Sequence, residues 1–309
     1  MLNIFSLILL VLCVVSGAAW LYDFLVRRPK RKALCEARAA EDPSFDRKKR
    51  SKFMEPSGII GQTGSLFFIV LVVVIFRSFI FEPFRIPSGS MQPTLEPGDF
   101  IAVSKWSYGI RNPLTNALWF KTGEPERGDV FVFKYPEDPS LDYIKRVIGL
   151  PGDVVIYANK ELYLLEAGSP EGSRAAKLPR TAAGTYIMKG GLGFEAMYEV
   201  YDEEIGGKVH KLMVDPAAPE LLEHFYRQAQ LPEGTPSGVW VVPENCYFAM
   251  GDNRDNSKDS RFWGFVPEDY LVGRTVGIWM SLEFENGKDS FLPSWVPSGI
   301  RFSRIGGID

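Results

Sequence analysis

Two long, uncharged apolar runs near the N-terminus constrain the fold of this chain more than any other feature. The first covers Leu2 to Tyr22 and the second Ile59 to Phe76. A helix needs about 20 apolar residues to cross a bilayer core, so both runs are candidate transmembrane helices. The second run extends to Gly58–Phe81 if the long Arg77 side chain reaches the far interface. A cleaved signal peptide is the alternative for the first run, but no basic segment precedes it.

Basic side chains crowd the segment between the two runs, from Arg27 to Lys52. A solvated linker is one interpretation of this segment. Beside two membrane spans, however, such a cluster marks the cytoplasmic side. We therefore expect transmembrane helices at residues 1–25 and 58–81, a basic cytoplasmic loop at 26–57, and the rest of the chain outside the cytoplasm.

The chain after Phe81 has the pattern of a β-rich domain. Short runs of β-branched and aromatic residues recur between Gly, Pro and Asp signals, which is typical of strands. The predicted strands include Phe100–Val103, Val130–Phe133, Tyr143–Ile148, Val154–Tyr157, Tyr247–Met250 and Thr275–Trp279. Residues 82–156 and 239–309 are predicted to form the main domain and residues 157–238 an insert. Within the insert we expect one helix at Pro219 to Gln230 and loops near Gly168 to Gly184 and Lys189 to Gly193.

Composition excludes some functions. The net charge of -3 offers no basic excess to meet the phosphates of a nucleic acid. The three cysteines, Cys13, Cys35 and Cys246, have no spacing typical of a zinc site or a disulfide framework. The chain has 2 histidines, His210 and His224, whereas most serine and cysteine hydrolases use a histidine as base.

The segment Phe84 to Asp99 reads F-R-I-P-S-G-S-M-Q-P-T-L-E-P-G-D. Two prolines frame its Ser-Gly-Ser tripeptide, which predicts a rigid, extended loop just after the second span. Taken alone, a serine in such a loop is more often a turn residue than a nucleophile.

The segment Leu141 to Asp153 contains a lysine in an apolar setting. Strand alternation places Tyr143, Lys145 and Val147 on one face. A lysine among apolar neighbours loses hydration, which lowers its pKa, and a neutral amine can act as a general base. A solvated strand lysine is the alternative.

The segment Gly251 to Pro267 is rich in polar residues. A calcium loop fits poorly, because Asn253 stands at the first ligand position, Lys258 at the turn position and Gly264 at the last ligand position. The other interpretation is a polar brace, in which Asp259 pairs with Arg261 and holds Ser257 in place.

Taken together, these segments resemble the type I signal peptidases, or leader peptidases, of Gram-negative bacteria, a family of serine–lysine peptidases. The resemblance covers the two spans and four boxes in order: P-S-G-S-M-x-P-T-L, R-G-D-V-F-V-F, D-Y-I-K-R-V-I-G-L-P-G-D and G-D-N-R-D-N-S-x-D-S-R. The ending S-R-I-G-G-I-D is similar as well.

The resemblance implies a role for each matching position. Ser90 would be the nucleophile and Lys145 the general base, with the Ser88 hydroxyl and the Ser90 backbone N–H forming an oxyanion hole. Ser257 would orient the lysine, supported by Asp259 and Arg261. Shallow apolar pockets for small substrate side chains would be lined by Phe84, Ile86, Met91, Leu95, Val132 and Ile144, for which core packing is the alternative.

The resemblance also implies the architecture and the substrate. We expect two N-terminal transmembrane helices followed by a mainly antiparallel β catalytic domain with a smaller β-rich insert. This domain would face the periplasm from the bacterial inner membrane and cut signal peptides of secreted preproteins at A-x-A-like sites, without a metal or cofactor. Trp295 would lie at the bilayer surface or in the core.

Two other functions are compatible with parts of the sequence. A self-cleaving repressor-type peptidase also uses serine and lysine, but the two spans argue against a cytoplasmic regulator. A membrane adaptor that has lost activity would have no need of Ser88, Ser90 and Lys145 together.

Overall fold

The computed structural model describes residues 4–189, 195–221, 224–225, 234, 236–284, 293 and 296–308. By internal contacts the chain divides into two compact units, Met1–Ile80 with Pro113–Thr115, and Phe81–Asn112 with Asn116–Asp309. Most of the predicted helix at Pro219 to Gln230 lies outside the described residues, and so does Trp295.

The first unit is helical. Its helices are α1 (Ile4–Glu41), α2 (Arg47–Met54) and α3 (Gly58–Ile80). Both α1 and α3 are long and apolar enough to cross a membrane, as their sequences predict. The basic segment predicted as a loop is largely helical, because Lys, Arg, Ala and Glu are good helix formers and α1 continues through them.

Small residues let α1 and α3 approach closely. A Cβ atom added at Gly64 would lie 2.9 Å from the backbone nitrogen of Trp20. The Trp20 and Phe67 rings stack nearby, with centroids 5.6 Å apart. Inside a bilayer the hydrophobic effect contributes little to helix association, so apolar helices associate through close packing at small residues.

The second unit consists of antiparallel strands. Their bounds are β1 (Phe81–Arg85), β2 (Asp99–Ser104), β3 (Gly109–Arg111), β4 (Leu118–Lys121), β5 (Val130–Tyr135), β6 (Asp138–Gly149), β7 (Val154–Ala158), β8 (Glu161–Leu165), β9 (Ala176–Lys177), β10 (Arg180–Lys189), β11 (Glu195–Ile205), β12 (Lys208–Val214), β13 (Val239–Val241), β14 (Cys246–Met250), β15 (Val266–Pro267), β16 (Leu271–Glu283), β17 (Gly299–Ile300) and β18 (Gly306–Gly307). The six strands named from the sequence are confirmed as β2, β5, β6, β7, β14 and β16. A short helix, α4 (Ser260–Trp263), follows β14.

The largest sheet has the order β1-β2-β16-β5-β6-β14-β15, with β17 and β18 also paired to β16. Strand β6 therefore lies inside the sheet between β5 and β14, and its second half is buried. The loop between β1 and β2 lies at one end of the same sheet. The sheet therefore supports the loop that carries Ser90 and the strand that carries Lys145, two of the three segments that the sequence singles out for chemistry.

The region predicted as an insert contributes strands to two further sheets. One has the order β10-β11-β12 and another β13-β7-β8-β9. The loops expected near Gly168 to Gly184 are wrong in part, because β9 and β10 begin there: β10 pairs with β11 along nearly its whole length, and a bulge beside Gly184 absorbs the irregular sequence. The expected boundary at residue 157 falls inside β7, and the division into main domain and insert stays a prediction.

Candidate active site

The loop that carries Ser90 runs from the end of β1 to the start of β2 and is held along its length by hydrogen bonds. The Ile86 N–H donates to the Asp99 carbonyl over 2.8 Å, and the Leu95 N–H donates to the Met91 carbonyl over 2.9 Å. Ser90 is half-buried at the middle of this loop. Its position is therefore set by the two strands and by the loop itself.

Lys145 extends from β6 toward this loop. Its Nζ atom lies 2.7 Å from the Ser90 Oγ atom, which is hydrogen-bonding distance. Tyr143 lies on the same face as predicted, with its ring centroid 5.6 Å from the amine. Val147, the next residue on this face, is fully buried.

The environment of Lys145 changes its acid–base behaviour. Burial lowers the pKa of the Lys145 amine from 10.5 to about 8, which outweighs the opposing influence of the Asp259 and Asp252 carboxylates. An amine with this pKa is partly neutral near physiological pH. A neutral amine can accept the proton of the adjacent Ser90 hydroxyl.

Asp259 and Arg261 form a buried ion pair, and its support of Lys145 stays a prediction. Arg261 donates to the Asp259 carboxylate through Nε at 2.8 Å and through Nη2 at 2.9 Å. Although burial opposes ionisation, the charge of Arg261 holds the pKa of Asp259 below its usual range. Asp259 also accepts from the Gly251 N–H over 3.0 Å, so the pair fixes the start of this segment.

Ser257 is buried, but within the described residues its hydroxyl has no hydrogen-bond partner. A methyl group at Gly251 would overlap both the Ser257 hydroxyl and the Ser90 carbonyl oxygen, so these groups are packed around a point that only glycine fits. The role of Ser257 in orienting Lys145 stays a prediction.

Ser88, Ser90, Ile144 and Lys145 line one cleft, which has a volume of about 310 Å³. Ser88 is exposed there, and its oxyanion-hole role stays a prediction. The six residues predicted to line substrate pockets belong to one apolar cluster, comprising buried Ile86, Met91, Leu95 and Val132 with partly buried Phe84 and Ile144. Of these six, Ile144 is the one that lines the cleft. Ile86, Met91 and Leu95 belong to the Ser90 loop, and Phe84 and Val132 lie on β1 and β5.

The structure adds three residues that sequence reasoning did not assign. Asn253 donates through Nδ2 to the Gly89 carbonyl over 3.1 Å and through its backbone N–H to the Ser90 carbonyl over 3.2 Å. Its neighbour Asp252 accepts two hydrogen bonds from Arg146, which follows Lys145 on β6. The one signal in the sequence is strand alternation, which places Arg146 on the face opposite Lys145.

Metal ligands were not expected from the sequence. Within the described ranges, the structure contains no group of three or more His, Cys, Asp or Glu side chains placed to hold a metal ion.

A serine hydroxyl beside a buried amine, carried on an antiparallel β domain, is the combination of nucleophile and base that a serine peptidase can use. A sequence profile of the family described as "Signal peptidase, peptidase S26" matches residues 59–280. The chain is 36% identical over 326 residues to Signal peptidase I of Buchnera aphidicola subsp. Acyrthosiphon pisum, covering 100% of both chains. It is also 36% identical to Signal peptidase I of Pseudomonas fluorescens, covering 98% of both, and 35% identical to that of Haemophilus influenzae, covering 98% of this chain and 91% of the relative. The chain therefore belongs to the S26 signal peptidase family.

Proposed function

We propose that this protein is a membrane-bound serine endopeptidase that removes N-terminal signal peptides from exported preproteins. Ser90 is the nucleophile and Lys145 the general base. The observation that carries the proposal is the 2.7 Å distance between the Ser90 hydroxyl and the buried Lys145 amine. Relatives named Signal peptidase I match the whole chain, which supports the substrate class.

The chemistry proceeds through an acyl-enzyme. Neutral Lys145 takes the Ser90 proton as Oγ attacks the carbonyl carbon of the scissile bond. The Ser88 hydroxyl and the Ser90 backbone N–H stabilise the negative oxygen of the tetrahedral intermediate. The Lys145 ammonium then returns its proton to the leaving amine, and Lys145 next activates a water molecule that hydrolyses the ester.

The substrate binds as an extended chain beside the first half of β6, because β14 pairs with β6 from Arg146 to Gly149 and leaves the preceding edge uncovered by that strand. Added strands form backbone hydrogen bonds and tolerate varied sequences, as a general processing enzyme requires. The Ser90 loop buries its own apolar side chains, Ile86, Met91 and Leu95, in the core, which supports shallow rather than deep pockets beside Ser90. Shallow apolar pockets favour the small residues of A-x-A-like cleavage sites.

The enzyme works at the bacterial inner membrane. Helices α1 and α3 are the anchors, and the basic segment between their apolar parts stays in the cytoplasm. The β domain then faces the periplasm, where exported chains emerge.

Incubation of the purified full chain with a preprotein tests the proposal. We expect a shorter product with a new N-terminus after the A-x-A-like site. Ser90→Ala should give no product, while Ser169→Ala, which changes an exposed loop serine, should cleave at the parental rate. Absence of cleavage by the parental enzyme, or full cleavage by Ser90→Ala, would contradict the proposal.

A further inference from the structure

Tyr143 lines the catalytic cleft, and the buried Tyr135 stacks against it. The Tyr135 and Tyr143 rings stack with centroids 4.2 Å apart and planes inclined by 3°. The buried Lys145 amine lies 5.6 Å from the Tyr143 centroid, and the Lys258 amine lies 5.4 Å from the Tyr135 centroid. The stack therefore carries the proposed base at one end and a second, exposed amine at the other.

Lys258 lines the same cleft as Ser90, but the two groups that bind its amine are not among the residues that line the cleft. Its Nζ atom donates to the Tyr135 hydroxyl over 2.8 Å and to the Glu137 carboxylate over 2.9 Å. These two contacts use two of the three N–H donors of an ammonium group, which leaves one for a ligand. The Lys258 and Glu137 side chains are 58% and 54% exposed, so water screens their attraction and another carboxylate can compete for the lysine.

The backbone around Lys258 is anchored by its neighbours. Its neighbours Ser257 and Asp259 are both buried, and Asp259 is fixed by Arg261 and by the Gly251 N–H. The long side chain therefore projects from an anchored segment to the rim of the cleft. A charged side chain on an anchored backbone can select among substrates, because the positions it can reach relative to the scissile bond are limited.

Lys258 differs from the other charged groups that line this cleft. Hydrogen bonds to Tyr135 and Glu137 raise the pKa of Lys258, so it stays charged where Lys145 is partly neutral. Asp142, also at the cleft, is paired with Lys134 over 2.8 Å. Among the described cleft residues, Lys258 is thus the one that presents a constant positive charge.

We propose that Lys258 is a specificity residue that binds an acidic side chain of the polypeptide substrate close to the scissile bond. The proposal rests on the proposed function, since it requires a polypeptide in the cleft beside Ser90. Glu137 holds the Lys258 amine in the free enzyme and gives it up to the substrate carboxylate. Glu137 is therefore an internal competitor of the substrate.

Paired peptides test this proposal. Cleavage peptides carry either Glu or Gln at successive positions on both sides of the scissile bond, and kcat/KM is measured for each with the full chain in detergent. We expect one position at which Glu is preferred over Gln by about two- to fivefold, the range of an exposed ion pair. High salt should bring this ratio toward one, because exposed charges are screened.

Four variants separate recognition from a merely structural ion pair. Lys258→Met should abolish the Glu/Gln preference and Lys258→Glu should reverse it. Glu137→Gln should increase the preference, because the competitor is gone. Lys211→Met, which removes an exposed lysine paired with Asp202, should leave the ratio and the rates unchanged.

The outcomes are distinct. If Lys258 and Glu137 were only a structural pair, their variants would change the Glu and Gln rates equally and in the same direction, which would overturn the proposal. No Glu preference at any position, or a preference that survives Lys258→Met, would also overturn it. Failure of the parental enzyme to cleave any peptide faster than Ser90→Ala would refute the proposed function itself.

Discussion

Asn253 donates its backbone N–H to the carbonyl oxygen of Ser90 over 3.2 Å. The Asn253 side chain donates to the carbonyl of Gly89, the residue before Ser90, over 3.1 Å, and Asn253 is fully buried. The adjacent Asp252 holds Arg146, which follows Lys145 on β6. Two consecutive residues therefore connect the loop of the nucleophile with the strand of the base.

Asn253→Ala should lower kcat with little change in KM. Loss of the side-chain hydrogen bond lets the loop shift relative to Lys145, and a misplacement of about 1 Å can cost about 100-fold in rate. Steady-state kinetics with a preprotein, together with a thermal unfolding curve, measure the effect. A folded variant with parental kcat would show that Asn253 does not position Ser90.

Ser88→Ala should lower kcat by about 10²–10³ while leaving folding and substrate binding largely intact, because one oxyanion donor is removed. Ser88 is exposed in the cleft, so its loss creates no core cavity. Ser88→Thr retains the hydroxyl and should keep much more activity. Parental turnover by Ser88→Ala would show that this hydroxyl does not stabilise the oxyanion.

Protease accessibility tests the topology. Protease added to spheroplasts should digest the β domain, whereas intact cells should protect it, because Arg27 to Lys52 is expected in the cytoplasm and the chain after Phe81 outside it. A cytoplasmic protein serves as the control for intact membranes. Protection of the β domain in spheroplasts would show that the orientation is wrong.

Cleavage should persist in EDTA and after iodoacetamide. The proposed nucleophile and base are both side chains, Ser90 and Lys145, so no step calls for a metal ion or a thiol. Cys13 and Cys35 are buried, and Cys246 lies outside the predicted motif boxes. Activity lost in EDTA and restored by one particular metal would refute the serine–lysine assignment.

Local patterns in the sequence predict much of this molecule. Strand alternation is sufficient to place Tyr143 and Lys145 on one face, and the length of the apolar runs predicts α1 and α3. The contacts of Asn253 with Gly89 and Ser90 were not predicted, because they join residues far apart in sequence and depend on how β14 lies beside β6. Strand β10 was missed for a similar reason, since Ala182, Ala183 and Gly184 interrupt its strand pattern and its structure depends on pairing with β11.

Lys145→Met tests whether Lys145 is the general base, because it removes the amine and keeps a side chain of similar length. The pKa of Lys145 in the fold, about 8, lies below its ordinary value of 10.5, so burying the charged form opposes folding. This cost is full below pH 8 and fades as the pH rises toward 10.5, because the unfolded chain then binds more protons than the folded one. Lys145→Met should therefore fold at least as stably as the parental enzyme at neutral pH. Any loss of activity then comes from the missing amine and not from unfolding.

The pH profile of preprotein cleavage tests the account most directly. Below about pH 8 most Lys145 is ammonium, which has no lone pair to accept the Ser90 proton. We predict that kcat/KM rises about tenfold per pH unit below this pKa and levels off above it, and that Lys145→Met and Lys145→Arg are inactive, the guanidinium remaining protonated at any usable pH. A flat profile from about pH 6 to 10, or cleavage by Lys145→Met at the parental rate, would contradict the assignment of Lys145 as the base.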